Sequence, residues 1–180
     1  MNACPTGPRI GSLCTGYGGL DLAVELVLGG RLAWYAETDR HARTVLQHHW
    51  PHVPNLGDIR TVDWTRVEPV DVLTAGFPCQ DISNAGKRAG ITGPHSSLWH
   101  HITKALRVLR PPLAFVENVA ALRRRGLDVV HADLAALGYD TSWQCLRASD
   151  IGAPHQRDRL FLLATHCGGE GAKVAHALRP

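Results

Sequence analysis

Residues 9–30 read RIGSLCTGYGGLDLAVELVLGG, and this stretch decides the fold. The short apolar run at 9–14 predicts a strand, and a glycine-rich turn follows it. The run at 20–28 is almost wholly apolar, as is typical of a helix packed between a sheet and other elements, and Gly29-Gly30 ends it. The segment therefore predicts a strand, a turn and a helix, which is the first part of a βαβ unit.

The same alternation continues along the chain. Further strands are predicted at 31–37, 71–75, 113–117, 139–146 and 160–165, and further helices at 39–50, 97–109 and 127–137. Strands that alternate with helices of about ten residues indicate an α/β domain with a Rossmann-like, mostly parallel open sheet and helices on both faces. We expect one catalytic or ligand-binding domain over 1–167 and a short tail over 168–180.

Composition narrows the class of protein. The chain has 180 residues, 44% of them hydrophobic and 19% charged, which excludes a disordered segment and fits one domain. Its five cysteines form no C-x-x-C pair, which argues against a disulfide scaffold and favours a reducing, cytoplasmic location. We expect no membrane span, since no window approaches the ~18 apolar residues that one needs. A net charge of +3 permits a nucleic-acid partner without requiring one.

Polar and glycine-rich residues follow four of the predicted strands. They are the turn at 15–19, Glu37, the GFPCQ segment at 76–80, and Glu117-Asn118. In open parallel sheets, ligands bind outside the carboxyl ends of the strands, so these four segments predict one site at one edge of the sheet.

The turn at 15–19 and Glu37 indicate a nucleoside-bearing cofactor. Glycines let a backbone approach a ligand closely, and a carboxylate that closes the next strand can accept both hydroxyls of a ribose. The spacing Gly16-x-Gly18-Gly19 differs from the G-x-G-x-x-G pattern of dinucleotide sites, which argues against a nicotinamide dehydrogenase.

Cys79 is the candidate nucleophile. A cysteine in a polar turn between a strand and a helix can be exposed and acidified by nearby N–H groups, and Pro78 fixes the backbone just before it. Cys4, Cys145 and Cys167 are interpreted instead as small hydrophobic residues. A thiol hydrolase is disfavoured, because the sequence places no His–Asp pair beside Cys79. We expect no metal site, since Pro51 breaks the helix between His48 and His52.

These motifs resemble those of the cytosine-5 DNA methyltransferases. GFPCQ at 76–80 matches the nucleophile motif of that family, and Glu117-Asn118-Val119 matches its glutamate motif. TGYGG at 15–19 and GDI at 57–59 match its first and third cofactor motifs, and RDR at 157–159 matches the R-x-R of its arginine motif. The order and approximate spacing agree across residues 10–165. Cys14 departs from the pattern, because the family commonly has an aromatic residue there.

The resemblance implies a Rossmann-like methyltransferase fold, S-adenosyl-L-methionine as the cofactor and double-stranded DNA as the partner. The implied catalytic residues are Cys79, Glu117, Arg157 and Arg159. The implied cofactor contacts are Cys14, Gly16, Tyr17, Gly18, Gly19, Glu37, Asp58, Ile59 and Pro78. The implied DNA contacts, in and just before a loop that closes over a flipped base, are Gln80, Ser83, Lys87 and Arg88.

In that family a target-recognition region follows the arginine motif, whereas here only residues 166–180 remain. Two hypotheses follow. One is a methyltransferase whose full activity requires a second polypeptide that carries the recognition region. The other is a remnant or binding module that holds S-adenosylmethionine or DNA without turnover.

Overall fold

The computed structural model describes residues 7–77 and 98–168. The strands are β1 (Arg9–Leu13), β2 (Arg31–Ala36), β3 (Val72–Gly76), β4 (Leu113–Val119), β5 (Tyr139–Arg147) and β6 (Asp158–His166). The helices are α1 (Gly19–Leu28), α2 (Arg40–His49), α3 (Leu98–Leu109) and α4 (Leu127–Ala136). Each predicted element is present, and its ends lie within two residues of the predicted ones.

The six strands form one sheet in the order β2-β1-β3-β4-β6-β5. Strands β1 to β4 pair in parallel, so their carboxyl ends lie at one edge of the sheet, called here the upper edge. Strand β6 runs antiparallel to both β4 and β5. The prediction of a mostly parallel α/β sheet is confirmed.

The reversed direction of β6 has a local cause. Residues 148–157 join β5 to β6 and contain only a short 3-10 turn, Ala148–Ile151, and an irregular stretch. A parallel pairing needs a crossover connection of a dozen or more residues, whereas an antiparallel pairing needs only a short link. The pairing of β6 with β4 also prolongs β4 through Glu117, Asn118 and Val119, which the sequence placed at or just beyond the end of that strand.

Helices cover both faces of the sheet, as predicted. On one face, Ile10, Leu32 and Val72 pack with Val24 of α1 and Leu46 of α2. On the other face, the alternate strand residues, which include Leu13, Leu73 and Ala114, pack against α3 and α4. The helices contribute Ile102, Leu106, Val130 and Leu134. This alternation of neighbouring strand residues between two cores is the pattern of strands buried on both faces.

Two expectations concern the chain as a whole. No helix within residues 7–77 and 98–168 is long and apolar enough to cross a membrane. The division into a domain over 1–167 and a tail over 168–180 stays a prediction, because residues 169–180 lie outside the described part of the chain.

Candidate functional site

The glycine turn joins β1 to α1 through backbone in left-handed conformations. Cys14 has φ +52°, Gly16 φ +57° and Gly18 φ +79°. The Gly18 N–H donates to the Thr15 carbonyl at 3.0 Å, which closes the turn, and Gly18 is the N-cap of α1. The first N–H groups of α1 therefore point out of the upper edge of the sheet.

The Glu37 carboxylate binds this turn to the end of β2. Its Oε2 accepts from the Gly16 N–H at 2.7 Å. Its Oε1 accepts from the Thr38 and Asp39 N–H groups at 2.7 and 2.8 Å, just before α2 begins. Each carboxylate oxygen accepts about two hydrogen bonds, so Oε2 retains room for one more donor.

Asn55 holds Glu37 in place, and the sequence did not single it out. Its Nδ2 donates to the Glu37 carbonyl at 3.0 Å, and its Oδ1 accepts from the Glu37 N–H at 3.1 Å. The same oxygen accepts from the Gly57 N–H at 2.9 Å, directly before Asp58. Asn55 thus fixes two predicted cofactor segments to each other. The only sequence signal was an asparagine two residues before a glycine, which is typical of turns.

Cys14, Glu37 and Asp58 lie close together. Burial, followed by the charges of Glu37 and Asp58, raises the pKa of the Cys14 thiol to about 12. Arg60 donates to both carboxylate oxygens of Asp58 at 2.6–2.9 Å, and these hydrogen bonds lower the pKa of Asp58. Ile59 is buried in the core between the sheet and α3.

Glu117 and Arg159 form an ion pair at the upper edge. The Arg159 Nε lies 2.9 Å from Glu117 Oε1, and both side chains are about three-quarters buried. The other oxygen of Glu117 faces β3, since a Cβ built on Gly76 would lie 3.7 Å from Oε2. Because Gly76 is the last residue of β3, Glu117 lies beside the segment that leads to Cys79.

A cavity of about 530 Å³ connects the two groups of predicted residues. Cys14, Gly16, Tyr17 and Gly19 line it from the glycine turn. Glu117 of β4, Arg159 of β6 and Arg157, just before β6, line it from the other side. Arg157 is exposed and has φ +33°, which an arginine rarely adopts. The cavity is therefore bordered by predicted cofactor residues on one side and predicted catalytic residues on the other.

A buried polar group lies beside this cavity, and the sequence did not predict it. Asp21 of α1 is only 1% exposed, and the Thr74 hydroxyl on β3 donates to its Oδ1. Ser12 on β1 lies next to them and donates to Thr15 of the turn at 3.0 Å. All four residues line the cavity. A polar residue in an apolar helix was the only sequence signal, since contacts of this kind join residues far apart in the chain.

Not every predicted site residue lines the cavity. Gly18, Glu37, Asp58 and Ile59 do not line the cavity, although Glu37 bonds the turn that does. The remaining predicted residues lie outside the described part of the chain; they are Pro78, Cys79, Gln80, Ser83, Lys87 and Arg88.

The turn offers a test of its own packing. A Cβ on Gly18 would lie 2.6 Å from the Trp50 ring, and the residue has φ +79°, so Gly18→Ala is expected to lower the free energy of unfolding by about 2–4 kcal/mol. Gly16→Ala is the matched control, because it has a similar φ of +57° with no atom within 4 Å of its Cβ. It should cost about 1 kcal/mol. Urea unfolding measures both, and equal losses would contradict the contact with Trp50.

Comparison with solved structures identifies the fold. The chain superposes on the Entamoeba histolytica methyltransferase EhMeth with a TM-score of 0.76 and 18% identity, over 91% of this chain and 54% of the other. It superposes on the S. pombe Dnmt2 methyltransferase with a TM-score of 0.74 and 20% identity, over 90% and 52% respectively. The fold is the Rossmann-like fold of S-adenosylmethionine-dependent methyltransferases.

Sequence comparison defines the family. Residues 9–175 match the family model for C-5 cytosine-specific DNA methylases, and the chain belongs to this family. It is 33% identical over 162 residues to the type II methyltransferase M.HhaI of Haemophilus parahaemolyticus, covering 88% of this chain and 49% of that protein. It is 32% identical over 155 residues to M.DsaV of Dactylococcopsis salina, covering 84% and 44%. The chain therefore spans about half or less of the length of these relatives.

Proposed function

We propose that the chain is the catalytic part of a DNA cytosine-5 methyltransferase. It would transfer a methyl group from S-adenosylmethionine to carbon 5 of a flipped cytosine in double-stranded DNA, through a covalent adduct with Cys79. The observation that carries this proposal is the Glu117–Arg159 pair, at 2.9 Å, which shares one cavity with the glycine turn. We place this activity in the cytoplasm.

The residues present fit S-adenosylmethionine. The Glu37 carboxylate, fixed by three backbone N–H groups and by Asn55, has accepting capacity left for a ribose hydroxyl. The N–H groups at the start of α1 face the same edge and suit a carboxylate. Asp58 accepts four hydrogen bonds from Arg60, so it would accept from an adenine amino group in exchange for one of them. Pro78 would complete these contacts.

The side chains would share the chemistry as follows. S-adenosylmethionine supplies an electrophilic methyl group. The Cys79 thiolate adds to carbon 6 of cytosine, which makes carbon 5 electron-rich, and it leaves again when carbon 5 has lost its proton. Glu117 bonds to N3 and to the exocyclic amine, which offsets charge as the adduct forms. Arg159 would orient Glu117, and Arg157, which lines the same cavity, would orient the base.

DNA binding is assigned to the segment that follows the nucleophile. Gln80 and Ser83 would contact the flipped nucleotide, and Lys87 and Arg88 would contact phosphates. The base must leave the helix because its carbon 5 and carbon 6 cannot both be reached inside the stack.

An apolar face supports the proposal that a second polypeptide completes the enzyme. Leu22, Leu26 and Val27 of α1 lie on one side of the helix and are 44%, 86% and 70% exposed. Ala23, the residue of α1 that follows Leu22, lines the cavity, as does Phe161 of β6. Large exposed apolar patches mark sites where proteins interact. We propose that a polypeptide carrying the recognition region covers this face.

The alternative is a module that binds S-adenosylmethionine or DNA without turnover. The chain aligns with 49% of M.HhaI and 44% of M.DsaV, and if catalysis needs residues outside the aligned part, that part alone would bind these ligands without turnover. This alternative predicts ligand binding in the absence of any covalent complex with DNA.

Trapping on 5-fluorocytosine separates these functions. A fluorine at carbon 5 cannot leave as a proton does, so a methyltransferase that has added to carbon 6 stays bound to the DNA. We expect an S-adenosylmethionine-dependent, denaturant-resistant complex with 5-fluorocytosine duplex DNA, and a larger yield when a candidate partner polypeptide is added. Binding of S-adenosylmethionine without any complex, alone or with a partner, would favour the non-catalytic module.

A further inference from the structure

Asp21 is a buried carboxyl group that the proposed chemistry does not use. It lies in the first turn of α1 and is 1% exposed. Its hydrogen-bond partners are the Thr74 hydroxyl at Oδ1, the neighbouring Ser12 hydroxyl and its own backbone N–H. Within residues 7–77 and 98–168, no lysine, arginine or histidine pairs with it. A buried carboxylate without a cation raises the free energy of the folded state, so its presence calls for an explanation.

Asp21 lies in the wall of the cavity that would hold a ligand. Asp21, Thr74 and Ser12 line the cavity below the glycine turn, and Glu117 and Arg159 line the same cavity from the other side. On that side Arg159 pairs with Glu117 at 2.9 Å, and Arg157 lines the cavity at an exposed position. Of the two carboxyl groups in the cavity lining, Asp21 is therefore the buried one without an ion-pair partner among the described residues. In low-dielectric surroundings its charge acts over several ångströms with little screening.

The hydrogen bonds around Asp21 suit either protonation state. The Thr74 hydroxyl lies 3.3 Å from the Gly11 carbonyl as well as within bonding distance of Asp21. It can donate to an ionised Asp21, or accept from a protonated one and donate to Gly11 instead. Burial, opposed by the bonds to Thr74 and Ser12, raises the pKa of Asp21. A cation in the cavity would favour the ionised form and remove the cost of its burial.

We infer that Asp21 is a specificity-determining residue that favours the positively charged sulfonium of S-adenosylmethionine over the neutral thioether of S-adenosylhomocysteine. This role rests on the proposed function, since it assumes that the cavity receives this cofactor. It would speed release of the product, because methyl transfer removes the charge that Asp21 attracts.

The test measures the affinity of both ligands by calorimetry with the full chain. Asp21→Asn keeps the shape of the side chain and removes its charge. We expect S-adenosylmethionine to bind about tenfold more weakly, because one charge several ångströms away is lost. The affinity for S-adenosylhomocysteine should change less than about twofold. Asp128→Asn is the matched control, since Asp128 occupies the first turn of α4 and is exposed. It should change neither affinity.

The measured affinities separate failure of the inference about Asp21 from failure of the proposed function. An equal loss of affinity for both ligands would assign Asp21 a structural role only and overturn the inference, while the cofactor proposal would stand. Unchanged affinities would overturn it as well. Failure of the wild-type chain to bind either ligand would contradict the proposed cofactor and, with it, this inference. If Asp21→Asn does not fold, Asp21→Ser removes the same charge, and the ratio of the two affinities is read in the same way.

Discussion

Replacing Cys79 with serine is expected to abolish both methyl transfer and the covalent complex with 5-fluorocytosine DNA. A serine hydroxyl is far less acidic than a thiol and is not ionised at neutral pH, so it cannot add to carbon 6 at a useful rate. Binding of S-adenosylmethionine should stay within about twofold of wild type, because the substitution replaces sulfur by oxygen and leaves Glu37 and the glycine turn intact. Transfer of labelled methyl to duplex DNA measures the loss.

Two cysteines in the described part of the chain show why the loss should be specific to Cys79. Burial raises the pKa of Cys145, and the charge of Asp158 adds to that effect, so its thiol is a poor nucleophile at neutral pH. Burial also raises the pKa of the Cys14 thiol, to about 12. Cys145→Ser is therefore the matched control and should retain wild-type transfer. Equal loss in both variants, or a complex that forms without Cys79, would refute the assignment of the nucleophile.

The fold was predictable because its signals are local. Gly29-Gly30 and Pro51 end α1 and the α2 segment, and the buried runs of β3 and β4 are too short for helices. The direction of β6 was not predictable from periodicity, because an apolar run gives the same pattern in a parallel and an antiparallel strand. It follows from the short connection at 148–157, which leaves no room for a crossover.

The site was predictable only in part, for a related reason. Motif residues such as Gly16 and Glu117 are identified by residue type and by their place at the ends of strands. The residues that hold them are not. Asn55 reaches Glu37 across 18 positions, and Thr74 reaches Asp21 across 53, so no local pattern contains either pair. Such bonds become visible only when the sheet brings β1, β2 and β3 together.

Replacing Glu117 with glutamine is expected to lower the rate of methyl transfer by about 10²–10³-fold. A carboxyl group can share a proton with N3 of cytosine as Cys79 adds, whereas a primary amide cannot. The glutamine oxygen can still contact the Arg159 guanidinium, whose Nε lies 2.9 Å from Glu117 Oε1, so the position of the side chain should be kept. Single-turnover transfer of labelled methyl, in whichever preparation of wild type forms the covalent complex, measures the rate.

Asp150→Asn is the control for this change, because it makes the same carboxyl-to-amide replacement at an exposed position between β5 and β6. It should transfer methyl at the wild-type rate. Arg159→Lys keeps the charge but loses the Nε donor, and we expect an intermediate loss of about tenfold if Arg159 works by orienting Glu117. In the double variant the two losses should not add, since the lysine then has no carboxylate left to misplace. Additive losses would mean that Arg159 acts on the base directly, independently of Glu117.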